Sequence, residues 1–157
     1  MKIVLISIGK ENDSGLSETI NEYVKRLERY SEIGEVEWKI LPTVPSGDRQ
    51  TIKKKEGEAV EKVLKEGDFL IALDENGKEL STPELSEFLS KRINSGVKRL
   101  VFIIGGPFGI SEELLEKANF KWSLSRLTFP HRLVRLTLAE TLYRSMSFLK
   151  GEPYHHV

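Results

Sequence analysis

The sequence contains no cysteine, which excludes disulfide bonds and thiolate metal sites and fits a cytoplasmic address. It also lacks any apolar run approaching the roughly 20 residues that a membrane-spanning helix needs, so we expect no membrane association. The apolar stretch in "MKIVLISIG" is too short for a secretory signal peptide and is not followed by a cleavage site of small residues. We therefore interpret it as a first strand.

The net charge of the chain at pH 7 is zero, because 24 basic residues balance 24 acidic ones. This balance argues against a protein that coats nucleic acid non-specifically. Residues 121–150 are nevertheless strongly basic, with Glu140 as their only acid. Their basic side chains are Lys121, Arg126, Arg132, Arg135, Arg144 and Lys150. A solvated helix face is the usual explanation for such an excess, and an RNA-binding surface is the alternative.

Histidine is scarce, and two of the three histidines, His155 and His156, lie in the terminal segment "KGEPYHHV". Adjacent histidines at a chain end chelate poorly, and no pair has helical spacing, so we expect no metal site. The H-E-x-x-H and G-x-S-x-G motifs are also absent. The glycines at 105 and 106 match neither common phosphate-binding motif, because Pro107 stands where a dinucleotide fingerprint needs glycine.

Strand and helix patterns alternate along the 157 residues, which is enough chain for one domain, 1–157, with its own core. The predicted strands are "KIVLISI", "EVEWKIL", "FLIALD", "RLVFIIGG" and "KWSLS". The predicted helices begin near Asp13 or Ser14, in the charged segment before Gly67, at Thr82, after Ser111 and near His131. This alternation predicts an α/β fold: a mostly parallel sheet of five to six strands with helices on both faces.

The last predicted helix, from about His131 to Lys150, carries apolar residues on more than one stripe. A helix that covers one sheet needs a single apolar face. Two explanations stay open at this point: the extra face contacts a second copy of the chain, or the helix is central to the monomer core.

Three segments follow predicted strands, at the edge where parallel sheets bind ligands: "ALDENGK", "GGPFGIS" and "LSRLTFPH". Gly105 and Gly106 lack Cβ atoms, so a ligand has room to lie against their main chain. A tight turn that needs glycine for its dihedral angles is the alternative. A ligand held through adenine and ribose fits these segments better than nucleotide phosphates do.

The block "IIGGPFGIS" with "WSLSRLTFPHRLVRLTLAETLYRSMSFLKGEPYHH" resembles the RlmH family of SPOUT-class methyltransferases, which act on N3 of a pseudouridine in bacterial 23S ribosomal RNA. The similarity extends through "MKIVLISIGK", "KKKEGEAV" and "LDENGKELSTPELSEFL". The resemblance implies a SPOUT fold with a C-terminal trefoil knot, S-adenosylmethionine as cofactor, and a homodimer with composite active sites. It also implies a substrate within the large subunit or the assembled ribosome.

The resemblance further implies a cofactor site at the three strand ends. Its residues are Leu73, Gly105, Leu124, Ser125, Arg126, Leu127, Thr128 and Phe129. Phe129 and Phe108 depart from the residues that are commoner in the family, leucine and a polar residue respectively. Because contacts of this kind are mostly apolar or to the main chain, we expect cofactor binding to be retained.

Methyl transfer to N3 requires loss of the N3 proton and stabilisation of the anionic base. We expect Tyr154 and His155, but not His156, to act there: Tyr154 by stacking or hydrogen bonding, His155 by accepting or relaying a proton. The hypothesis is that this tail reaches the cofactor bound by the partner subunit. Arg132, Arg135 and Arg144 are predicted to contact RNA phosphates.

Three other functions are compatible with parts of the sequence. One is a SPOUT methyltransferase with another RNA target, and a second is a non-catalytic RNA-binding module of the same fold. The third, suggested by the alternating pattern alone, is a flavodoxin-like protein that binds a small molecule. Cofactor calorimetry distinguishes the third from the others, and methylation of ribosomes distinguishes the first two from the assigned activity.

Overall fold

The structure is a computed structural model that describes residues 1–10 and 14–156, with only the main chain of Ser14. Five strands and five helices alternate along it. The strands are β1 (Lys2–Ile8), β2 (Glu35–Leu41), β3 (Phe69–Glu79), β4 (Arg99–Ile104) and β5 (Phe120–Ser123). The helices are α1 (Ser14–Leu27), α2 (Arg49–Glu61), α3 (Thr82–Asn94), α4 (Glu112–Lys117) and α5 (His131–Leu149). Within the described ranges, no helix is long and apolar enough to cross a membrane.

All five strands are parallel, in the order β2-β1-β4-β3-β5. Side chains of β1, β3 and β4 that point to one face pack with α1, α3 and α5, and those that point to the other face pack with α2 and α4. The predicted parallel sheet with helices on both faces is therefore confirmed. The trefoil knot stays a prediction from the resemblance.

The central strands are buried on both faces, which explains their continuous apolar sequences. Phe102 has no exposed surface and meets the edge of Trp122, with 6.1 Å between the ring centroids. On the opposite face, Val101 and Ile103 pack towards Val60 of α2. Complete burial of each such side chain stabilises the fold by about 1.5–3 kcal/mol relative to an exposed one.

Most of the helices begin directly after a residue whose side chain caps the helix. Ser81 accepts a hydrogen bond from the amide of Glu84, whose carboxylate accepts one from the Ser81 amide, which forms a capping box before α3. Ser111 caps α4 as predicted. The charged segment before Gly67 is helical as predicted, but α2 already ends at Glu61 and Gly67 belongs to a later turn.

The third strand is longer than predicted and continues through the polar segment after Leu73. Its pairing with Trp122 shifts from Leu73 to Lys78, so residues 74–77 bulge out of the ladder. The main chain at Gly77 packs closely against β5. A Cβ atom there would be 2.7 Å from the carbonyl oxygen of Lys121. The bulge therefore needs glycine at this position.

The wide apolar surface of α5 is explained largely by the monomer core. α5 packs against both α1 and α3, as well as against the sheet. Leu138, Leu142 and Met146 are fully buried in this arrangement. Leu133 and Leu149 remain exposed at opposite ends of the helix. The width of the face is thus no evidence for a dimer.

Candidate active site

The path of the chain after β4 creates two crevices at the carboxyl edge of the sheet. The connection after β4 leads to the face that carries α4, whereas those after its neighbours β1 and β3 lead to the opposite face. Ligands bind where connections diverge in this way. One crevice lies where the connections after β3 and β4 diverge, beside the segments predicted to hold the cofactor. The other lies where the connections after β1 and β4 diverge, and it extends over β2.

The glycine turn between the crevices is packed by protein on the side where its Cβ atoms would lie. A Cβ at Gly105 would come 2.7 Å from the carbonyl carbon of Gly109, and one at Gly106 would run into the Glu56 carboxyl. Gly109 has a φ of +87° and donates from its amide to the Gly106 carbonyl at 3.0 Å. The tight-turn explanation therefore accounts for these glycines.

The segment after β5 presents main chain and apolar side chains at the first crevice. The Leu127 amide donates to the Ser125 hydroxyl at 3.0 Å, and the Ser123 hydroxyl donates to the Ser125 carbonyl at 3.1 Å. Leu127 is 71% exposed, and Phe129 is also exposed. Large apolar side chains that a monomer leaves in water are characteristic of binding surfaces.

The C-terminal tail folds back along its own α5 helix, far from the strand ends. The Tyr154 ring meets the edge of Tyr143, with 4.7 Å between centroids, and its hydroxyl donates to Glu140 at 3.2 Å. The Tyr30 hydroxyl donates to the Glu152 carboxylate at 2.7 Å. Burial first, and then the hydrogen bond with Tyr23, raises the pKa of the Tyr154 phenol, which therefore stays protonated at neutral pH.

His155 lies between Phe148 and Arg144. Its ring meets the edge of Phe148, with 5.6 Å between centroids, and its Nδ1 is 3.4 Å from an Arg144 guanidinium nitrogen. Since guanidinium has no acceptor, Nδ1 must accept in this contact, which assigns the proton of a neutral ring to Nε2. His155 is thereby arranged as a hydrogen-bond donor. His156 is exposed.

Comparison with known proteins identifies the family. Residues 1–155 match the family model described as "Predicted SPOUT methyltransferase". The chain belongs to the SPOUT methyltransferase family. It is 48% identical to "Ribosomal RNA large subunit methyltransferase H" of Acetivibrio thermocellus, 46% to that of Flavobacterium johnsoniae and 44% to that of Christiangramia forsetii. Each comparison covers 99% of both chains.

Most of the basic side chains near α5 of this SPOUT methyltransferase have partners within the chain. Arg144 donates from Nε to Glu140 at 2.9 Å, Arg126 lies 3.4 Å from Glu79, and Lys150 pairs with Glu32. A solvated helix face with internal ion pairs therefore explains much of the excess of basic residues in this segment. Arg132 is exposed at the start of α5 and remains a candidate for RNA contact.

Arg135 differs from the predicted phosphate-binding residue. It is 4% exposed, and its guanidinium donates to the Ser7 hydroxyl at 2.7 Å and to the Lys10 carbonyl at 3.2 Å. A Cβ on Gly9 would lie 3.0 Å from the same group. Because the side chain is buried and holds the end of β1, we remove it from the predicted set of RNA phosphate contacts and assign it a positioning role.

Glu56 is a site residue that sequence reasoning missed. Its carboxyl is 2% exposed and packs beneath Gly106, and neither oxygen has a hydrogen-bond partner among the described residues. Burial raises its pKa, which the nearby main chain of Val44 offsets only in part, without a full hydrogen bond. The only signal in the sequence was a glutamate at a core-facing position of α2, beside Val60 and Ile52.

Replacing Glu56 by Gln is expected to make the free energy of unfolding less dependent on pH. Since the folded pKa lies above the ordinary value of 4.5, the favourable contribution is complete below pH 4.5 and is lost as the pH rises through the folded pKa. The wild type should therefore lose stability from this group between about pH 5 and 8. Urea unfolding of the wild type and of Glu56→Gln at pH 5 and at pH 8 measures this change in the free energy of unfolding.

The exposed neighbour Glu58 on the same helix provides the matched control, and Glu58→Gln should follow the wild-type pH dependence. A Glu56→Gln variant that loses as much stability as the wild type between the two pH values would contradict the buried, proton-binding carboxyl.

Proposed function

We propose that residues 1–157 form one cytoplasmic methyltransferase domain that acts as a homodimer and transfers a methyl group from S-adenosylmethionine to N3 of a pseudouridine in 23S ribosomal RNA. Full-length relatives named for methylation of large-subunit ribosomal RNA support the substrate class. The observation that carries the composite site is the position of the tail, which lies far from the strand ends of its own chain.

The residues at the first crevice fit an adenosyl cofactor. Among the described residues, the main-chain groups of 126, 128 and 129 make no main-chain hydrogen bonds, so donors and acceptors remain for the edge of an adenine. Leu127 and Leu73 supply apolar contacts for the purine and ribose, as in other small-molecule sites. When bound, the cofactor supplies a methyl group on a cationic sulfur. Leu124, Ser125, Arg126, Thr128 and Phe129 complete the proposed site with Gly105.

The position of the tail along α5 supports a site built by two subunits. Helix α5 begins at His131, beside the strand ends, and Tyr154 packs on Tyr143, twelve residues further on. At 1.5 Å per residue, this places the tail about 18 Å from the start of the helix. Tyr154 and His155 therefore act at a cofactor bound by the partner subunit, where they complete the acceptor pocket.

The contacts of the two tail residues support a different role for each. Tyr154 stays neutral, so its ring packs against the acceptor base or its hydroxyl donates to it. The N3 proton leaves to water, and the negative charge spreads onto the carbonyl oxygens of the base. His155, with its proton on Nε2, donates to that charge. Arg144 holds the His155 ring in this orientation, and Arg132 and Arg144 are the remaining candidates for RNA phosphates.

Incubation with ribosomes tests this proposal directly. Purified protein, S-adenosylmethionine carrying a labelled methyl group, and ribosomes or large subunits from a strain lacking the modification are combined, and nucleosides are analysed by mass spectrometry. The expected product is labelled 3-methylpseudouridine in 23S RNA. Label in another nucleoside would establish a different target, and cofactor binding without label in any RNA would favour a non-catalytic module. Either result would overturn the proposed reaction.

A further inference from the structure

The second crevice, over β1 and β2, is a cleft of about 420 Å³ that the proposed cofactor site does not use. This volume lies within the range of about 300–1,000 Å³ that is typical of small-ligand sites. The cleft lies where the chain leaves β1 and β4 towards opposite faces of the sheet. Pro107 of the glycine turn and Pro130 before α5 belong to its lining.

The chemistry of the lining is that of a nucleotide site. Lys10 and Arg132 are basic and exposed, and the lining residues that the structure describes include no aspartate or glutamate. The half-buried indole of Trp38 provides an aromatic surface for a base. Asn21 and Thr43 carry amide and hydroxyl groups that can hydrogen-bond to base edges or ribose. Cations, an aromatic ring and polar hydrogen-bonding groups in one concave site favour RNA over a peptide.

His131 adds a further polar group to the lining. Its Nδ1 is buried and has no hydrogen-bond partner among the described residues. Burial first, and then the charge of Arg135, lowers the pKa of this imidazole. A neutral ring offers one donor and one acceptor, which suits a hydrogen bond to a base edge or ribose.

We propose that this cleft binds one phosphorylated nucleotide of the RNA substrate, with its phosphate near Lys10 and Arg132 and its base along Trp38. The inference deepens the proposed function and rests on it. Because Pro107 lines the cleft and directly follows Gly105 and Gly106, a nucleotide held here lies beside the glycine turn that we assign to the cofactor site. It anchors the RNA on the side of the glycine turn away from the cofactor.

The indole signals of the two tryptophans test the cleft in solution. Trp38 lines it, whereas Trp122 is 2% exposed in the core and serves as an internal control. Two-dimensional ¹H–¹⁵N spectra are recorded during titration with uridine 5′-monophosphate, uridine or inorganic phosphate. The monophosphate is expected to shift the Trp38 signal saturably, more strongly than uridine or phosphate, and to leave Trp122 unchanged. Arg132→Ala should weaken this binding about fivefold to tenfold.

An unchanged Trp38 signal at millimolar uridine 5′-monophosphate would overturn the proposal. So would an equal response to phosphate alone, which would indicate an anion site without base recognition. The C-terminal tail of the partner is the competing occupant. If it fills the cleft, deletion of residues 152–157 will shift the Trp38 signal while the nucleotide does not, which also contradicts the proposal.

Methylation kinetics separate this inference from the proposed function. Lys10→Ala and Trp38→Leu should raise the KM for ribosomes about tenfold with unchanged cofactor affinity, and Trp38→Phe should restore much of the loss by keeping the ring. Arg29→Ala removes an exposed charge beyond the far end of α1 and is the matched control. Unchanged KM values in both cleft variants would overturn the proposal that the cleft binds RNA, but not the proposed reaction. A wild type that methylates no ribosomal RNA would overturn the reaction, whereas the titration would still test the cleft.

Discussion

Deleting residues 152–157 is expected to abolish methylation and to leave the affinity for S-adenosylmethionine essentially unchanged. The deletion removes Tyr154 and His155, which we place at the acceptor base, but nothing from the strand ends that we propose as the cofactor site. Loss of a positioned polar group in the transition state typically lowers kcat about 10²- to 10⁴-fold, and the deletion removes two. Calorimetry and single-turnover assays measure the two quantities. Turnover within a few-fold of the wild type would refute a catalytic tail.

Point variants separate chemistry from packing, because the deletion also uncovers Tyr143 and breaks the hydrogen bond from Tyr30 to Glu152. His155→Ala should lower kcat about 10²-fold with little effect on cofactor affinity. His156→Ala removes the adjacent, exposed imidazole and should behave as wild type. Equal losses in the two variants would show that the assay reports general damage to the tail.

His155→Gln distinguishes a hydrogen-bond donor from a general base. Glutamine keeps an N–H donor but has no basic nitrogen. Because Nδ1 of His155 accepts from Arg144 and the proton lies on Nε2, the glutamine variant should retain clearly more activity than His155→Ala. Equal losses in the two variants would instead favour proton abstraction by His155.

Replacing Gly105 by alanine is expected to weaken cofactor binding about 10- to 100-fold. The added Cβ would meet the Gly109 carbonyl carbon at 2.7 Å, and main chain cannot move aside as a flexible side chain can. The turn must therefore shift, together with the strand end that contacts the cofactor. Calorimetry with S-adenosylmethionine measures the loss, and thermal unfolding records the accompanying destabilisation.

Two further variants make the Gly105 result specific. Gly34 has open space where its Cβ would lie, so Gly34→Ala should change neither stability nor cofactor affinity by much. Leu127 is so exposed that Leu127→Ala should leave the monomer fold intact, yet it should weaken cofactor binding about tenfold. Wild-type affinity in both Gly105→Ala and Leu127→Ala would remove the first crevice from the cofactor site.

The architecture could be predicted because the local and global signals agree. The β-branched strands, the helix start at Thr82 and the cap at Ser111 each indicated the same alternation that the sheet requires. The predictions were wrong at positions where tertiary contacts determine where an element ends or bulges. The end of α2 at Glu61 and the bulge before Lys78 depend on neighbouring elements, which single-sequence patterns do not encode.

The site was predictable in its outline but not in its contacts. Topology placed it at the strand ends, and the resemblance selected the segment from Leu124 to Phe129. Nothing in the sequence distinguished the buried Arg135 from the exposed Arg132, because burial depends on where the end of β1 lies. The position of the Glu56 carboxyl beneath the glycine turn could not be predicted either, because that turn lies 50 residues further along the chain.

Pairing the tail deletion with Gly105→Ala, at a cofactor concentration too low to occupy the Gly105→Ala site, tests most directly whether each active site is built by two subunits. The tail deletion keeps the cofactor site, and Gly105→Ala keeps the tail. Purified heterodimers of the two, isolated with different affinity tags, contain one site that combines an intact cofactor site with an intact tail only if the tail acts in the partner. Because one of the two sites in each purified heterodimer is then complete, the heterodimers should recover about half of the wild-type methylation per dimer. Heterodimers as inactive as their parents would contradict a site shared between subunits.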